Sequence, residues 1–355
     1  MKKIIYISNV PWKWTKQRPQ FLAEELCKYF QVVYVQESSK KRVTNESNTP
    51  VQFKHLWHIP FARFGIIKAL NNYLYKIQLY RMCQDADIIW FTSPNVYKWI
   101  PSKFFSQKKT AYDCMDDMIE LYPSDKKMGA NEDKLYHIST IVFASSSHLA
   151  DKLKRRYGQR NITVVNNAIS GAFDSTTETL PSEYNKFFEK DKTILTYVGS
   201  ISSWMDFNLL KAIRDRFPQI KINLWGPPHN VTLPAHSGIN LCGTVEHKYV
   251  SSILSSSDIL IMPFVVNELI ESVNPVKLYE YIYSGKPCLA PKYGESMQFK
   301  EYVNLYESHE ECLSLIEKII KGDLKQKPLE ACREFVRNNT WTDRAQVISE
   351  CLSIE

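Results

Sequence analysis

Short runs of apolar, mostly β-branched residues recur along the chain and alternate with segments of helical character. A strand that is apolar on both faces must be covered on both faces, which is typical of a parallel sheet between layers of helices. The sequence therefore predicts an α/β protein with two Rossmann-like, doubly wound parallel sheets in series. The runs are KIIYIS (3–8), VVYVQ (32–36), DIIWF (87–91), IVFAS (141–145) and ITVVNN (162–167), then ILTYVGS (194–200), KINLWGP (221–227), INLCGTV (239–245) and DILIMPF (258–264).

A polar stretch without clear periodicity, residues 171–192, separates the two sets of runs and is predicted to be a linker. The first domain is then expected to span residues 1–170 and the second residues 193–334. A terminal helix over about residues 335–355 is expected to pack back on the first domain. Ligands of open parallel sheets collect beyond the carboxyl ends of the strands, so we expect the two domains to face a cleft.

The charge is unevenly distributed between the two halves. The net charge of the 355 residues is +7, but residues 1–170 hold 26 Lys and Arg against 14 Asp and Glu, whereas residues 171–355 hold 19 against 24. A basic first half is suited to a phosphorylated substrate, an anionic lipid surface or nucleic acid. Because no nucleic-acid-binding motif is present, a nucleic-acid partner is not expected.

The eight cysteines form no CxxC pair and no zinc spacing, which favours reduced thiols over a disulfide framework. No secretion signal and no run of about 18 apolar residues is found. We expect a cytoplasmic protein that is soluble or peripheral on the inner face of the plasma membrane.

The segment NPVKLYEYIYSGKP, residues 274–287, reads as one short helix. Asn274 is a good N-cap, Pro275 suits the first helical position, and a glycine followed by a proline ends the helix. Lys277 falls in the first turn, where free N–H groups favour an anion, and Glu280 lies one turn further, where its carboxylate can accept the hydrogen bonds of a ribose diol. The pattern predicts a nucleotide-diphosphate site. The alternative is an exposed ion pair on a packing helix.

Several motifs in order resemble those of one known family. VGSISSWMDFNLL, LWGPP, SSDILIMPF and NPVKLYEYIYSGKP in the second half, with NVPWKWTKQRPQFLAEEL, AYDCMDD and FASSSHLADKL in the first, are similar to GT-B glycosyltransferases close to the family-4 type. The similarity includes bacterial transferases of cell-wall and capsular polysaccharide assembly, of the teichuronic-acid type. The resemblance implies a nucleotide-diphosphate sugar donor, with UDP the expected nucleotide, and a glycan or lipid-linked acceptor. It implies no cofactor and no metal.

The resemblance also implies which residues bind the donor. Glu280 would bind the ribose, and the helix start would face the diphosphate or the donor sugar. Glycines at two strand ends would let the backbone approach the ligand, although simple turns are the alternative reading. The implied donor-binding residues are Gly199, Ser200, Gly226, Ser272, Asn274, Pro275, Lys277 and Glu280.

Two positions depart from the family pattern. Family-4 enzymes commonly carry a glutamate eight residues before the ribose-binding one, where this chain has Ser272, with Glu268 and Glu271 nearby. They also commonly carry an Arg and a Lys after the first strand of the second domain, and SISSWMD offers neither. Lys277 and the helix dipole are therefore expected to stabilise the leaving group, and the stereochemical outcome stays open.

The first domain offers carboxylates for the acceptor. AYDCMDD places Asp113, Asp116 and Asp117 at the end of a predicted strand. One hypothesis is that Asp116 or Asp117 positions or deprotonates the acceptor hydroxyl, with Asp113 among the acceptor-binding residues. The alternative is that they cap the next helix.

Residues 17–20, QRPQ, follow the first strand at a predicted helix start. Arg18 and Gln20 are candidates to receive an anion from the acceptor or donor, and Asn9 at the strand end is a further acceptor-side candidate. An ordinary exposed helix start is the alternative.

Residues 61–82 form a basic, aromatic amphipathic segment with Arg63, Lys68, Lys76 and Arg81 interspersed. The expected reading is a helix that packs its apolar stripe on the sheet, and the alternative is a helix in an anionic membrane interface. The stripe is Ile66, Leu70, Tyr73, Ile77 and Tyr80.

These observations predict a glycosyltransferase of bacterial surface polysaccharide synthesis that moves a sugar from a nucleotide-diphosphate sugar to a hydroxyl. Two alternatives remain at this point. One is a nucleotide-sugar 2-epimerase of the same architecture, and the other is a nucleotide-sugar-binding protein that has lost catalysis.

Overall fold

The computed structural model describes residues 1–14, 16–38, 49–60, 65–174, 178–229, 231 and 237–354. The chain divides into two compact units. The first comprises Met1–Asn167 and Trp341–Glu355, and the second comprises Ala168–Thr340. No helix of the described residues has both the length and the apolar character needed to cross a membrane.

The secondary structure alternates between strands and helices along most of the chain. The strands in the described residues are β1 (Lys3–Ile7), β2 (Gln31–Ser38), β3 (Gln52–Trp57), β4 (Ile88–Phe91), β5 (Lys109–Cys114), β6 (Ile141–Ala144), β7 (Thr163–Val164), β8 (Thr193–Val198), β9 (Ile220–Trp225), β10 (Ile239–Gly243), β11 (Ile259–Ile261), β12 (Cys288–Pro291) and β13 (Asn304–Tyr306). The α-helices are α1 (Arg18–Leu26), α2 (Gly65–Cys83), α3 (Lys103–Gln107), α4 (Met118–Leu121), α5 (Met128–Ile138), α6 (Ser147–Tyr157), α7 (Phe207–Arg216), α8 (Val250–Ser255), α9 (Glu268–Glu271), α10 (Val276–Ser284), α11 (His309–Lys321), α12 (Leu329–Arg337) and α13 (Trp341–Ser353).

Each unit is built on one parallel sheet. The first sheet has the strand order β3-β2-β1-β4-β5-β6-β7, and the second has β10-β9-β8-β11-β12-β13. Every paired strand in both sheets runs parallel to its neighbour. The order reverses at β1 in the first sheet and at β8 in the second, as in doubly wound folds. The predicted fold class of two Rossmann-like α/β domains is confirmed.

Aromatic side chains stack across one face of the first sheet. The Tyr6 ring stacks on Tyr34 at 5.5 Å between centroids and on Trp90 at 5.2 Å. Trp90 also stacks on Phe143 at 5.3 Å, although β5 lies between their strands. The register explains this contact, because the β5 residue beside Trp90 is Ala111, whose small side chain leaves room for the rings to meet.

The described parts of the polar stretch, residues 171–174 and 178–192, belong to the second unit. They contain two 3₁₀ turns, Gly171–Asp174 and Ser182–Phe187. Tyr184 and Phe187 lie edge-on against the buried Trp225, each at 5.1 Å between ring centroids. These aromatic contacts fix the segment on β9, which its polar composition did not reveal.

The terminal segment forms two helices instead of one. α12 belongs to the second unit, and α13 belongs to the first. Trp341 begins α13, is buried, and stacks on Phe21 of α1 at 5.4 Å between centroids. The Thr342 hydroxyl also donates a hydrogen bond to Glu25 of α1. The break follows Asn338, the C-cap residue of α12.

α2 packs on the first unit through a face other than the predicted one. Its buried residues are Asn71, Tyr75, Leu79 and Cys83, whereas Ile66, Leu70 and Tyr73 of the predicted stripe are exposed. The expectation that this stripe packs on the sheet is therefore wrong for Ile66, Leu70 and Tyr73, whereas Ile77 is half-buried and Tyr80 packs against the core. The first four residues of the predicted segment, with Arg63, lie outside the described residues.

Amide side chains explain which face of α2 turns inward. β3 is an edge strand, and its outer N–H and C=O groups need partners. The Gln78 amide accepts from the Trp57 N–H and donates to the Trp57 carbonyl, both at 2.9 Å. The Asn71 amide makes the same pair of bonds with Ile59, at 2.8 and 2.9 Å. Four hydrogen bonds thus fix the rotation of α2 against the sheet edge.

Candidate functional site

Two glycines bring the ends of β8 and β9 into close contact. Gly199 follows β8 and Gly226 follows β9, with φ angles of +145° and +140° that side chains rarely adopt. A Cβ atom on Gly226 would lie 2.0 Å from the Gly199 carbonyl oxygen. A Cβ atom on Gly199 would lie 2.0 Å from Cε of Lys277. Both positions therefore require glycine, and the Lys277 side chain lies directly against the backbone at the end of β8.

α10 begins one residue later than predicted. Pro275 is its N-cap residue and Val276 its first residue, whereas Asn274 was the predicted cap. Asn274 is buried, and its amide donates to the Glu295 carboxylate at 3.4 Å. The buried carboxylate thus engages the side chain that was expected to cap the helix. The predicted end is observed, because Gly285 adopts the left-handed conformation at the C-cap.

A tyrosine of α10 forms a second contact with the sheet. The Tyr281 hydroxyl accepts a hydrogen bond from the Val198 N–H at 2.9 Å, and the Tyr197 hydroxyl donates to the Ser200 carbonyl at 2.8 Å. These bonds hold the residues that follow β8 in one position relative to α10. Ser200 is therefore held through its backbone carbonyl by Tyr197.

Lys277 carries a cation in apolar surroundings. Its Nζ lies 5.8 Å from the Tyr197 ring centroid and 5.9 Å from that of Phe264. Burial lowers the pKa of the Lys277 ammonium, an effect that the Glu280 carboxylate partly opposes. Among the residues that the structure describes, no carboxylate forms an ion pair with Lys277. A largely desolvated ammonium in the first turn of a helix is suited to an anionic ligand such as a phosphate.

Glu280 has a histidine partner that the sequence did not indicate. His247 Nε2 lies 3.2 Å from Glu280 Oε1, and the exposed fractions of the two side chains are 48% and 13%. His247 also contacts the buried Phe173 ring edge-on, at 5.9 Å between centroids. His247 and Glu280 are 33 positions apart in the sequence, which explains why no local pattern could have paired them. The contact orients one carboxylate oxygen of Glu280.

The position eight residues before Glu280 holds no acid, but carboxylates lie nearby. Ser272 is buried and its hydroxyl donates to the Glu268 carbonyl at 3.4 Å. Burial raises the pKa of the Tyr293 hydroxyl, and the Glu295 and Glu271 carboxylates raise it further. Two carboxylates thus lie near one tyrosine beside the segment that leads into α10. The surroundings of this segment are therefore acidic, although Ser272 itself is not.

In the first unit, Arg18 and Asp113 form a buried ion pair. Arg18 Nη2 donates to Asp113 Oδ1 at 2.7 Å, and Nε donates to both carboxylate oxygens at 3.1 Å. Arg18 Nη1 donates to the Val165 carbonyl at 2.7 Å and to Asn167 at 3.3 Å. The two side chains are 4% and 0% exposed. The two charged residues predicted to bind the acceptor thus form an internal ion pair that joins α1 to β5.

The remaining two acceptor-side candidates, Asn9 and Gln20, make hydrogen bonds within the first unit. Gln20 is buried, its amide oxygen accepts from the Gln17 N–H at 3.1 Å, and its amide nitrogen donates to the Pro11 carbonyl at 3.2 Å. Asn9 is exposed and accepts from the Thr92 hydroxyl at 3.1 Å. Gln20 therefore stabilises the start of α1 as a cap.

Asp117 is a structural carboxylate. It receives two hydrogen bonds from Arg156 at 3.0 Å, forms an ion pair with Lys152 at 2.8 Å, and caps α4. Burial alone would raise the pKa of Asp117, but hydrogen bonds from Arg156 and Lys152 hold it below its usual value. Asp117 is thus a helix cap, which was the alternative interpretation of the sequence.

Asp116 has a different environment, although it is the neighbouring residue. Its side chain is half-buried, and no hydrogen bond to its carboxylate is found among the described residues. Burial raises the pKa of Asp116 to about 7, Arg18 opposes the rise, and Asp113 and Asp117 add to it. A carboxyl group that titrates near neutral pH can accept a proton from a hydroxyl and release it again.

Comparisons with known proteins agree with the motifs. No protein-family profile matches the chain. TuaH of Bacillus subtilis (strain 168), an inferred teichuronic acid biosynthesis glycosyltransferase, is 21% identical over 276 residues, which cover 71% of this chain and 68% of TuaH. The predicted resemblance to bacterial GT-B glycosyltransferases is confirmed by this match and by solved structures.

Many solved structures match this chain, among them two that cover almost its whole length. Sucrose-phosphate synthase from Thermosynechococcus elongatus has a TM-score of 0.75 at 14% identity, covering 99% of this chain and 98% of that one. Anabaena HepE, in complex with UDP and glucose, has a TM-score of 0.73 at 14% identity and full coverage of both chains. At such identities the similarity establishes the fold, which is GT-B.

The raised pKa of Asp116 predicts a pH-dependent stability. Between about pH 4 and pH 7 the folded protein keeps a proton that the unfolded chain has released, so this residue lowers the free energy of unfolding as pH rises. The free energy of unfolding falls by at most about 1.4 kcal/mol per pH unit. We therefore expect the free energy of unfolding of Asp116→Asn, measured in urea, to rise relative to that of the wild type by about 1–4 kcal/mol between pH 5 and pH 8. Asp151→Asn, an exposed control, should show no such gain. An equal difference at both pH values would contradict the prediction.

Proposed function

We propose that this chain is a glycosyltransferase that moves a sugar from a nucleotide-diphosphate sugar to a hydroxyl of a glycan or lipid-linked acceptor in bacterial surface polysaccharide synthesis. The observation that carries the proposal is the position of Lys277. Its side chain is half-buried, its ammonium lacks a carboxylate ion pair among the described residues, and it lies in the first turn of α10 against Gly199.

The donor is proposed to bind along α10. The diphosphate would approach Lys277 and the free N–H groups at the helix start, where a fixed positive charge stabilises the leaving group as the glycosidic bond breaks. The ribose hydroxyls would donate to Glu280, which His247 orients. UDP is the proposed nucleotide, since UDP is present in the HepE complex.

The acceptor is proposed to use the first unit, with Asp116 as the group that accepts the proton of the attacking hydroxyl. Asp117 is unsuited to this role, because Arg156 and Lys152 hold its carboxylate. The Arg18–Asp113 pair would act through Asp116, by setting the local field that controls its charge. The basic charge of residues 1–170 suits an acceptor carried on an anionic membrane, so we place the enzyme at the inner face of the plasma membrane.

Donor binding is tested by thermal shift with UDP, GDP and their glucose conjugates, because a ligand that binds only the folded state raises the melting temperature. We expect UDP or its conjugate to stabilise the wild type. Glu280→Gln and Lys277→Met should each weaken binding by about 10- to 100-fold, the effect of losing a hydrogen bond or contact to a charged group.

Lys286→Met is the matched control for donor binding. Lys286 is half-buried just beyond the other end of α10, so its replacement removes a similar side chain without touching the proposed phosphate site. If Lys286→Met weakens nucleotide binding as much as Lys277→Met, or if no nucleotide shifts the wild type, the donor site is not where we place it.

Turnover tests the role of Asp116. The pH dependence of kcat should show a limb near pH 7, below which the protonated carboxyl cannot accept a proton. Asp116→Asn should lower kcat by about 100-fold or more while leaving the nucleotide thermal shift unchanged. Normal turnover by Asp116→Asn would remove it from the mechanism, and acceptor-independent isomerisation of the sugar nucleotide would replace the transferase with an epimerase.

We also propose that no divalent metal is required. The described residues contain no cluster of three or more His, Cys, Asp or Glu side chains able to hold a metal ion. The leaving group would instead be stabilised by Lys277 and the start of α10. Turnover should therefore persist in excess EDTA. Loss of activity in EDTA with recovery on adding Mg²⁺ or Mn²⁺ would overturn this part of the proposal.

A further inference from the structure

The outward face of α2 is apolar. Ile66, Leu70 and Tyr73 are 86%, 43% and 62% exposed, and Ile77 and Tyr80 continue the same row with half-buried side chains. At 3.6 residues per turn these five positions fall within an arc of about 80°. Three of the large exposed hydrophobic side chains of the chain therefore lie together on one helix. We call this row the α2 outer face.

Positive charge flanks the α2 outer face. Lys76 and Arg81 are exposed, and helical geometry places one on each side of the row. Lys103 adds a third cation at the row's C-terminal end, because its Nζ lies 4.6 Å above the Tyr80 ring and 3.1 Å from the Tyr80 hydroxyl. The 19 residues of α2 include no Asp or Glu.

The helix cannot turn this face inward without breaking its attachment to the sheet. Asn71 and Gln78 lie on the opposite side of α2, where they hold the Ile59 and Trp57 backbone groups through four hydrogen bonds. Rotation of α2 would leave those amide and backbone groups without partners, at a cost that burial of the outer face would have to exceed. The outer face is thus a fixed feature of the fold.

We propose that the α2 outer face docks the protein on an anionic phospholipid bilayer, with the axis of α2 parallel to the membrane plane. The apolar row would enter the boundary between headgroups and acyl chains, the tyrosines would lie at headgroup level, and Lys76, Arg81 and Lys103 would contact lipid phosphates. The absence of acidic residues on α2 favours an anionic surface over a protein partner with basic groups. The choice of a bilayer rests in part on the proposed lipid-linked acceptor.

The test is co-sedimentation of the full chain with vesicles of phosphatidylcholine alone and with about one third phosphatidylglycerol. We expect binding to the mixed vesicles, weak binding to the neutral ones, and a decrease with added salt. A triple variant, Ile66→Ser with Leu70→Ser and Tyr73→Ser, should lower the partition coefficient by about 10-fold or more. Lys76→Gln with Arg81→Gln should lower it on mixed vesicles only.

The matched control is Val347→Ser with Ile320→Ser, which removes two similarly exposed apolar side chains, 40% and 41% exposed, from other helices. It should bind mixed vesicles as the wild type does. Equal binding by the wild type to both vesicle types, or unchanged binding by the triple variant, would overturn the proposal. Concentration-dependent dimers that disappear in the triple variant would also overturn it, since the face would then serve a second copy of the chain.

The nucleotide thermal shift separates this inference from the proposed function. All variants on the α2 outer face should retain the wild-type shift with UDP, because α10 lies in the other unit. Loss of vesicle binding with a retained nucleotide shift therefore reports on docking alone. If the wild type binds vesicles but no nucleotide, the docking proposal stands and the proposed transferase function is wrong.

Discussion

The contact between Lys277 and the backbone at Gly199 is the constraint on which the candidate site of the second unit depends. The residue after β8 must be glycine because its φ angle of +145° is one that side chains rarely adopt, and a Cβ atom there would also overlap the lysine side chain. The residue after β9 must be glycine because the Gly199 carbonyl oxygen fills the space where a side chain of Gly226 would lie. The chain therefore brings a cation close to two strand ends and to a helix start at once. Such an arrangement holds a positive charge in place before any ligand arrives, which is what electrostatic stabilisation of a leaving group needs.

Adjacent carboxylates in the first unit show how partners decide the role of a side chain. Asp113 is neutralised by Arg18, and Asp117 by Arg156 and Lys152, so both serve the fold. Asp116 lies between them without such a partner and takes a pKa of about 7. The absence of a paired charge is the basis on which Asp116, and neither of its neighbours, is proposed as the proton acceptor.

Much of the fold could be predicted from the sequence, and the failures have physical causes. Apolar runs predicted most of the strands because burial on both faces leaves a local pattern, but the short central strand β12 was not among them. The edge strand β3 was missed, since the polar residues Gln52, Lys54 and His55 interrupt its apolar residues. The row of α2 was assigned to the core because hydrophobic periodicity gives a helix face without giving its direction. Hydrogen bonds of Gln78 to the edge strand and of Asn71 to Ile59 just beyond it decided that direction.

By itself the sequence determined most of the parallel strands and the end of α10 at Gly285, together with Lys277 and Glu280 one turn apart, because these depend on residues close in the chain. Only the tertiary structure decided which charges are paired. Arg18 meets Asp113 across 95 residues, Arg156 meets Asp117 across 39, and His247 meets Glu280 across 33. A charge is assigned to the fold or to a ligand by its nearest opposite charge and by its burial, and both are set by contacts between segments that the sequence places far apart.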